Sequence, residues 1–290
     1  MLALYHKNRI IVNRGVNMND VKFIDDKIYI ENVANFDLAQ TLDCGQAFRW
    51  SQNENGIWHG IAAGKYIELF EKDGAIIITG SNKDDFETFW RHYLDLDRDY
   101  ANIIKNISSN ETVKIAANYS HGIRILNQDP WEALCSFIIS QNNNIPRIKG
   151  IIERLCENFG EKTANGYAFP SAKKIASLTA EDLAPIRSGF RAKYIIDAAC
   201  KVASGEIVLE ELKTCDFDCA REKLMTIKGV GPKVADCVLL FGLGHIEAFP
   251  RDVWIKRAMT ELFDGELPEC AVPYAGIVQQ YIFYYIRNNT

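Results

Sequence analysis

The chain has 290 residues, 48% of them hydrophobic and 24% charged, with a formal net charge of −5, enough to bury a sizeable core spread over two or three domains. No apolar run approaches the ~18 to 20 residues needed to cross a bilayer, and residues 1–19 lack the apolar segment and cleavage site of a secretory signal, so membrane and export classes are excluded and an intracellular protein is expected. The eight cysteines form no CxxC pair and the five histidines are equally scattered, which points to reduced thiols and no structural metal cluster.

Residues 1–19 carry Lys7, Arg9 and Arg14 and no acid. They are expected to be a disordered tail, either an organelle-targeting segment or, in preference, a mis-called start ahead of the true one at Met18. From Val21 to about Ile78 the pattern alternates: Lys27-Ile28-Tyr29-Ile30, Ala47-Phe48-Arg49-Trp50, Ile57 to Ile61, Tyr66 to Leu69 and Ile76 to Ile78. Short antiparallel strands with Gly and Asn turns follow from this. After Thr79 the spacing turns helical, as in Phe86, Phe89, Trp90 and Tyr93, and stays so to the end. Asp129-Pro130-Trp131 opens a helix with a capping acid and a proline in its first turn. Asn142, Asn143 and Asn144 interrupt it, and a second helix runs from near Pro146 to Gly160. The fold class is therefore α+β: a β-sheet domain with connecting helices over 20–130, a helical domain over 131–250, and C-terminal helices over 251–290 that complete the helical body.

The stretch from Leu224 to Cys237 reads as two amphipathic segments meeting at Gly229-Val230-Gly231, a helix-hairpin-helix whose glycines let the backbone approach a partner closely. Its amides and the second helix's N-terminus form a cradle for a phosphate oxygen. Read as structure alone, the same residues make a plain helical hairpin. Pro232 should take the first position of the second helix, leaving Lys233 beside the positive end of the helix dipole, where a neutral amine is favoured over an ammonium. Nineteen positions on, in Ala248-Phe249-Pro250-Arg251-Asp252-Val253-Trp254, Asp252 stands at the entry to a new helix. It can serve as an N-cap, and it can also oppose positive charge developing on a sugar ring. The net charge alone argues against DNA, but the acid is concentrated in 20–130, with 11 basic and 18 acidic residues against 19 and 20 in 131–290. A local basic face in the second half remains available.

With these motifs the sequence resembles the helix-hairpin-helix DNA glycosylases, specifically the 8-oxoguanine DNA glycosylase branch, over about residues 20–287. The resemblance is carried by the hairpin with Lys233, the Asp252 loop, Cys44-Gly45-Gln46-Ala47-Phe48-Arg49-Trp50, Asn142-Asn143-Asn144-Ile145 with Arg147, Gly189-Phe190-Arg191-Ala192, and Tyr274-Ala275-Gly276 through Gln279 and Phe283. It implies that the Gly45 carbonyl accepts the N7–H of the oxidised base, that Phe283 and Cys237 sandwich that base, and that Gln279 meets its Watson–Crick edge. Asn142 and its loop fill the gap left in the duplex, and Arg147 and Arg191 donate to the orphaned cytosine. Lys233 attacks C1′ to give a Schiff base, and β-elimination then cuts the strand. No cofactor serves the chemistry, and a structural cation held by the carbonyls of Met225, Ile227 and Val230 is implied at the hairpin. The expected partner is duplex DNA carrying 8-oxoguanine, preferably opposite cytosine, bound by a monomer without a membrane. Two positions depart from the family pattern: Phe190 stands where a wedging tyrosine is usual, and Trp254 where a histidine contacts phosphate. The alternatives are a glycosylase for alkylated bases, which generally lacks the hairpin lysine, and a DNA-binding module without catalysis.

Overall fold

In the computed structural model, which describes Val16 and residues 18–289, the alternating segments form a six-stranded antiparallel sheet. Its strands are β1 (Val21–Ile24), β2 (Lys27–Ile30), β3 (Trp50–Gln52), β4 (Trp58–Ala62), β5 (Lys65–Lys72) and β6 (Ala75–Thr79), in the order β1-β2-β6-β5-β4-β3. The two-residue period sends Ile28, Ile30, Ile67, Leu69, Ile76 and Ile78 into one core. Onto it pack α1 (Leu38–Leu42) and a helical run made of α2 (Lys83–Asp85), a π turn at Phe86–Trp90 and α3 (Arg91–Tyr93). The Trp50 indole donates to the Tyr93 hydroxyl at 3.0 Å inside this core. Val16 belongs to it as well, its N–H donating to the Leu96 carbonyl at 2.7 Å. This residue of the expected tail is thus packed; residues 1–15 and 17 lie outside the described residues.

The second core holds α4 (Tyr100–Ile107), α5 (Glu111–Tyr119), α6 (Pro130–Ser140), α7 (Ile145–Phe159), the small hairpin β7 (Lys162–Thr163) and β8 (Gly166–Tyr167), and α8 (Ala172–Ala176). It continues through α9 (Arg191–Ala203), α10 (Leu209–Leu212), α11 (Phe217–Met225), α12 (Pro232–Gly242), α13 (Val253–Leu262) and α14 (Ala275–Asn289). Asp129 caps α6 by accepting the Glu132 N–H at 2.8 Å, with Pro130 in the first turn. α12 is buried from Val234 to Gly242 and packs along α6, where Phe137 and Phe241 stack with centroids 5.3 Å apart. Gly160 does end α7, but at φ −81°, so no left-handed cap is involved. A Cβ there would stand 2.0 Å from the Ala168 carbonyl oxygen, and close backbone approach is what requires glycine.

One expectation changes. The segment expected to be a strand at Ala47–Trp50 is irregular until Trp50. Gln46, just before it, is fully buried, donating to the carbonyls of Thr41 (2.9 Å) and Arg124 (2.8 Å) and accepting the Leu126 N–H (2.9 Å). A side chain that satisfies three backbone groups fixes a loop in place of a ladder. From the helices ahead of residue 130, Tyr100, Ile103, Ile107 and Val113 pack into the second core, as does Ile123, and not under the sheet.

Candidate active site

Lys233 is the second residue of α12, preceded by Pro232 and by Gly231 as N-cap. It is half-buried, and its ammonium lies 5.5 Å from the Phe137 ring centroid on α6. One helical turn on, the buried Cys237 thiol feels the Lys233 charge and, more weakly, the charges of Asp236 and Asp252. Burial is the main influence on that thiol, pushing it up to about 11, with Lys233 drawing it back down. Cys237 is therefore a neutral, buried sulfur at physiological pH, an apolar surface beside the amine and not a rival nucleophile. Asp252 caps α13, its Oδ1 accepting the Ile255 N–H at 2.8 Å. The two residues 19 positions apart in the chain thus act electrostatically on the same sulfur, Lys233 lowering its pKa and Asp252 raising it.

A line of rings connects this amine to the Gly45 loop. Phe137 meets Phe48 edge-on at 5.8 Å, three residues from Gly45. Gly45 takes φ +85°, and a Cβ on it would stand 3.5 Å from Ile145 Cδ1 and 3.8 Å from Phe283 Cε1, so the left-handed backbone is what demands glycine here. Arg287 joins the two sides, donating to the Asp43 carbonyl at 3.0 Å while lying 5.8 Å from the Phe283 ring centroid. Gln279, one turn before Phe283 on α14, is buried, and its Oε1 accepts from Gln280 Nε2 at 3.0 Å. Phe137, Ile145, Arg287 and Gln280 were not singled out from sequence. The Asn142 loop did include Ile145, but an apolar residue there carries no signal of its own.

At the hairpin, Gly229 has φ +78°, and a Cβ there would lie 2.3 Å from the Tyr194 ring. Gly231 has φ −96° and open space where a Cβ would stand, so only Gly229 uses glycine's left-handed freedom. Met225 is the last residue of α11, and the Ile227 carbonyl accepts the Val230 N–H at 3.0 Å. At the start of α9, the N-cap residue Phe190 is 53% exposed, but Arg191, the first residue of the helix, is buried. Its guanidinium donates to the carbonyls of Gln141 (2.9 Å from Nε), Asn142 (3.1 Å) and Ser188 (3.2 Å). Arg147, in the first turn of α7, is exposed, as is Asn142 at φ +47°. The two arginines expected to act alike therefore stand in different environments. Trp254 is 38% exposed beside Asp252 and Val253 77%.

The chain matches the family model for the 8-oxoguanine DNA glycosylase N-terminal domain over residues 28–134, and that for the HhH-GPD superfamily base excision DNA repair proteins over 135–266. A Clostridium acetobutylicum 8-oxoguanine glycosylase/lyase, solved with duplex DNA containing cytosine opposite 8-oxoguanine, is 38% identical. The match covers 93% of this chain and 98% of that one, with a TM-score of 0.87. This chain belongs to the 8-oxoguanine DNA glycosylase family. Another solved member, MBOgg1 in complex with a low-affinity DNA ligand, is 41% identical with the same coverage and TM-score. The Saccharomyces cerevisiae N-glycosylase/DNA lyase is 35% identical over 76% of this chain, and the match spans 66% of that protein. An Archaeoglobus fulgidus 3-methyladenine DNA glycosylase shares the fold at 21% identity and a TM-score of 0.71. Within the 8-oxoguanine glycosylase family, the HhH-GPD match takes in both Lys233 and Asp252, and the N-terminal match takes in Gly45.

Proposed function

We propose that this chain extrudes 8-oxoguanine from duplex DNA, excises it through Lys233 and cuts the strand by β-elimination. The observation that carries the reading is the placement of Lys233 in the first turn of a helix that opens on the hairpin, with Lys233 and Asp252 both acting electrostatically on the Cys237 thiol. The flipped base enters between Phe283 and Cys237, with the Gly45 carbonyl accepting N7–H and Gln279 at the Watson–Crick edge. Unmodified guanine presents a lone pair at N7, which faces that carbonyl unfavourably in a dry pocket. The Lys233 amine attacks C1′ as the C1′–N9 bond breaks, and the base departs with the bonding electrons and takes up a proton. Asp252, oriented by its cap, opposes the positive charge on the sugar. Ring opening gives the protonated imine, a C2′ proton is lost, and the C3′–O bond to phosphate breaks.

Asn142 and Phe190 occupy the gap in the duplex, Arg147 and Arg191 face the orphaned base, and the Gly229–Gly231 amides meet a phosphate, with Trp254 at the backbone beside Asp252. A cation at the carbonyls of Met225, Ile227 and Val230 belongs to the same proposal. Carbonyl oxygens suit a hard cation, and the Ile227 oxygen keeps a second lone pair beyond its bond to Val230. Such an ion supplies charge toward a phosphate, and no chemical step passes through it. The protein works as a monomer on intracellular DNA; no helix among the described residues is long and apolar enough to cross a membrane.

Borohydride trapping on an 8-oxoguanine duplex tests the reading. The wild type should yield a covalent adduct, and Lys233→Gln should lose both adduct and base release while still binding DNA. Strong trapping by the variant assigns the chemistry to another amine. Base release without any adduct from the wild type favours an alkyl-base type of mechanism.

A further inference from the structure

α9 meets the hairpin along one of its faces. Positions 194, 197 and 201 are spaced by three and four residues and so share a side of the helix, and each touches a different residue of the turn. The Tyr194 ring lies under Gly229 so closely that any Cβ would overlap it. Asp197 Oδ2 accepts the Lys228 backbone N–H at 2.8 Å. The Lys201 ammonium donates to the Thr226 carbonyl at 2.5 Å and stands 3.7 Å from the Asp197 carboxylate. The N-cap and first residue of the same helix are the proposed opposite-base residues. Phe190 packs edge-on against Tyr194 at 5.8 Å, and Arg191 holds the Gln141 and Asn142 carbonyls.

The turn's outer amides are those a phosphate meets, and Lys233 follows only two residues after Gly231. A displacement of the turn is therefore passed to the amine, and an error of about 1 Å at a reacting atom can cost ~10²-fold in rate. A surface turn needs a fixed backing to hold that tolerance, and α9 supplies one. We propose that Asp197 is a positioning residue for Lys233, assisted by Tyr194 and Lys201: through it, the helix that begins at the opposite-base contacts also sets the attacking amine. The proposal rests on the lysine-dependent reading above.

The test compares Asp197→Ala, Asp197→Asn and Lys201→Met with the full-length wild type. The readings are single-turnover excision at saturating enzyme, affinity for a duplex bearing an uncleavable abasic-site analogue, melting temperature, and hydrogen exchange at the Lys228 amide. Asp197→Ala should slow excision from bound DNA by about tenfold or more, the scale of one lost charged hydrogen bond, with affinity changed less than about threefold and exchange at Lys228 accelerated. Asp197→Asn keeps an acceptor oxygen and should recover most of the rate. An unchanged rate on bound DNA, even with a lowered melting temperature, overturns the proposal, as does an asparagine variant no faster than the alanine one. Should Asp197→Ala fail to fold, Lys201→Met decides: a slower bound rate at intact affinity supports the docking and a wild-type rate refutes it. A wild type that gives no borohydride adduct refutes the lysine reading instead, and exchange at Lys228 still shows whether Asp197 fastens the turn.

Discussion

In the proposed mechanism Asp252 combines two duties in one carboxylate, and they separate under substitution. Asparagine keeps an oxygen for the Ile255 N–H but removes the charge opposite the developing cation. Asp252→Asn should therefore leave the melting temperature nearly unchanged while slowing excision ~10²-fold or more, a few kcal/mol of transition-state stabilisation. A single-turnover rate equal to wild type would reduce Asp252 to a cap. Arg147 and Arg191 separate in a similar way. Exposed Arg147 is free to read a base, so Arg147→Ala should flatten the preference for cytosine opposite the lesion at little cost in stability. Buried Arg191 bonds three backbone carbonyls, and each one orphaned costs about 1–3 kcal/mol, so Arg191→Ala should lower the melting temperature as well. Equal thermal losses in the two variants would contradict this division. Lys233, Asp252 and Gly45 could be proposed from sequence because each sits in a short local motif. The burial of Arg191 could not, since two of its acceptors, the Gln141 and Asn142 carbonyls, lie 50 and 49 residues away in the chain.

At the level of elements, caps and periods were the readable signals. Asp129-Pro130 does open α6, and the hairpin glycines do separate α11 from α12. The irregular course of Cys44–Arg49 was hidden, because its alternation of apolar and polar residues mimics a strand and only Gln46's distant partners fix it as a loop. The first turn of α6 also carries a pH-dependent element. Glu132 lies 3.6 Å from the Arg49 guanidinium, and burial pushes its carboxyl up from the ordinary 4.5 to about 7 despite that neighbour. A carboxyl raised on folding binds its proton more tightly in the folded state. Its contribution is thus most favourable below about pH 4.5 and is progressively lost as pH rises toward 7. Glu132→Gln cannot ionise, so its melting temperature relative to wild type should climb between pH 5 and pH 8. A difference that stays flat across that range would mean that Arg49 fully compensates the buried charge.

Over the whole molecule, the two cores interlock at the Gly45 loop, where Cys44 and Phe48 belong to one and Ala47 and Trp50 to the other. Ahead of residue 130, α4 and α5 pack into the second core, because an apolar stripe does not name the core it enters. A net charge of −5 leaves DNA affinity to a few placed cations. The Lys228 side chain, 76% exposed at the hairpin, should account for about one of them. Lys228→Ala is expected to reduce the slope of log affinity against log salt by roughly 0.9; an unchanged slope would place it off the phosphate path. One further consequence follows from the pocket sulfur. Oxidants attack thiolates, and a thiol raised to about 11 is deprotonated in only about one molecule in ten thousand at neutral pH. An enzyme whose substrate is itself a product of oxidative stress thus keeps Cys237 out of reach of the peroxide that creates its work. Peroxide treatment should modify the exposed Cys200 and Cys219 first, with base excision surviving until long after they are consumed.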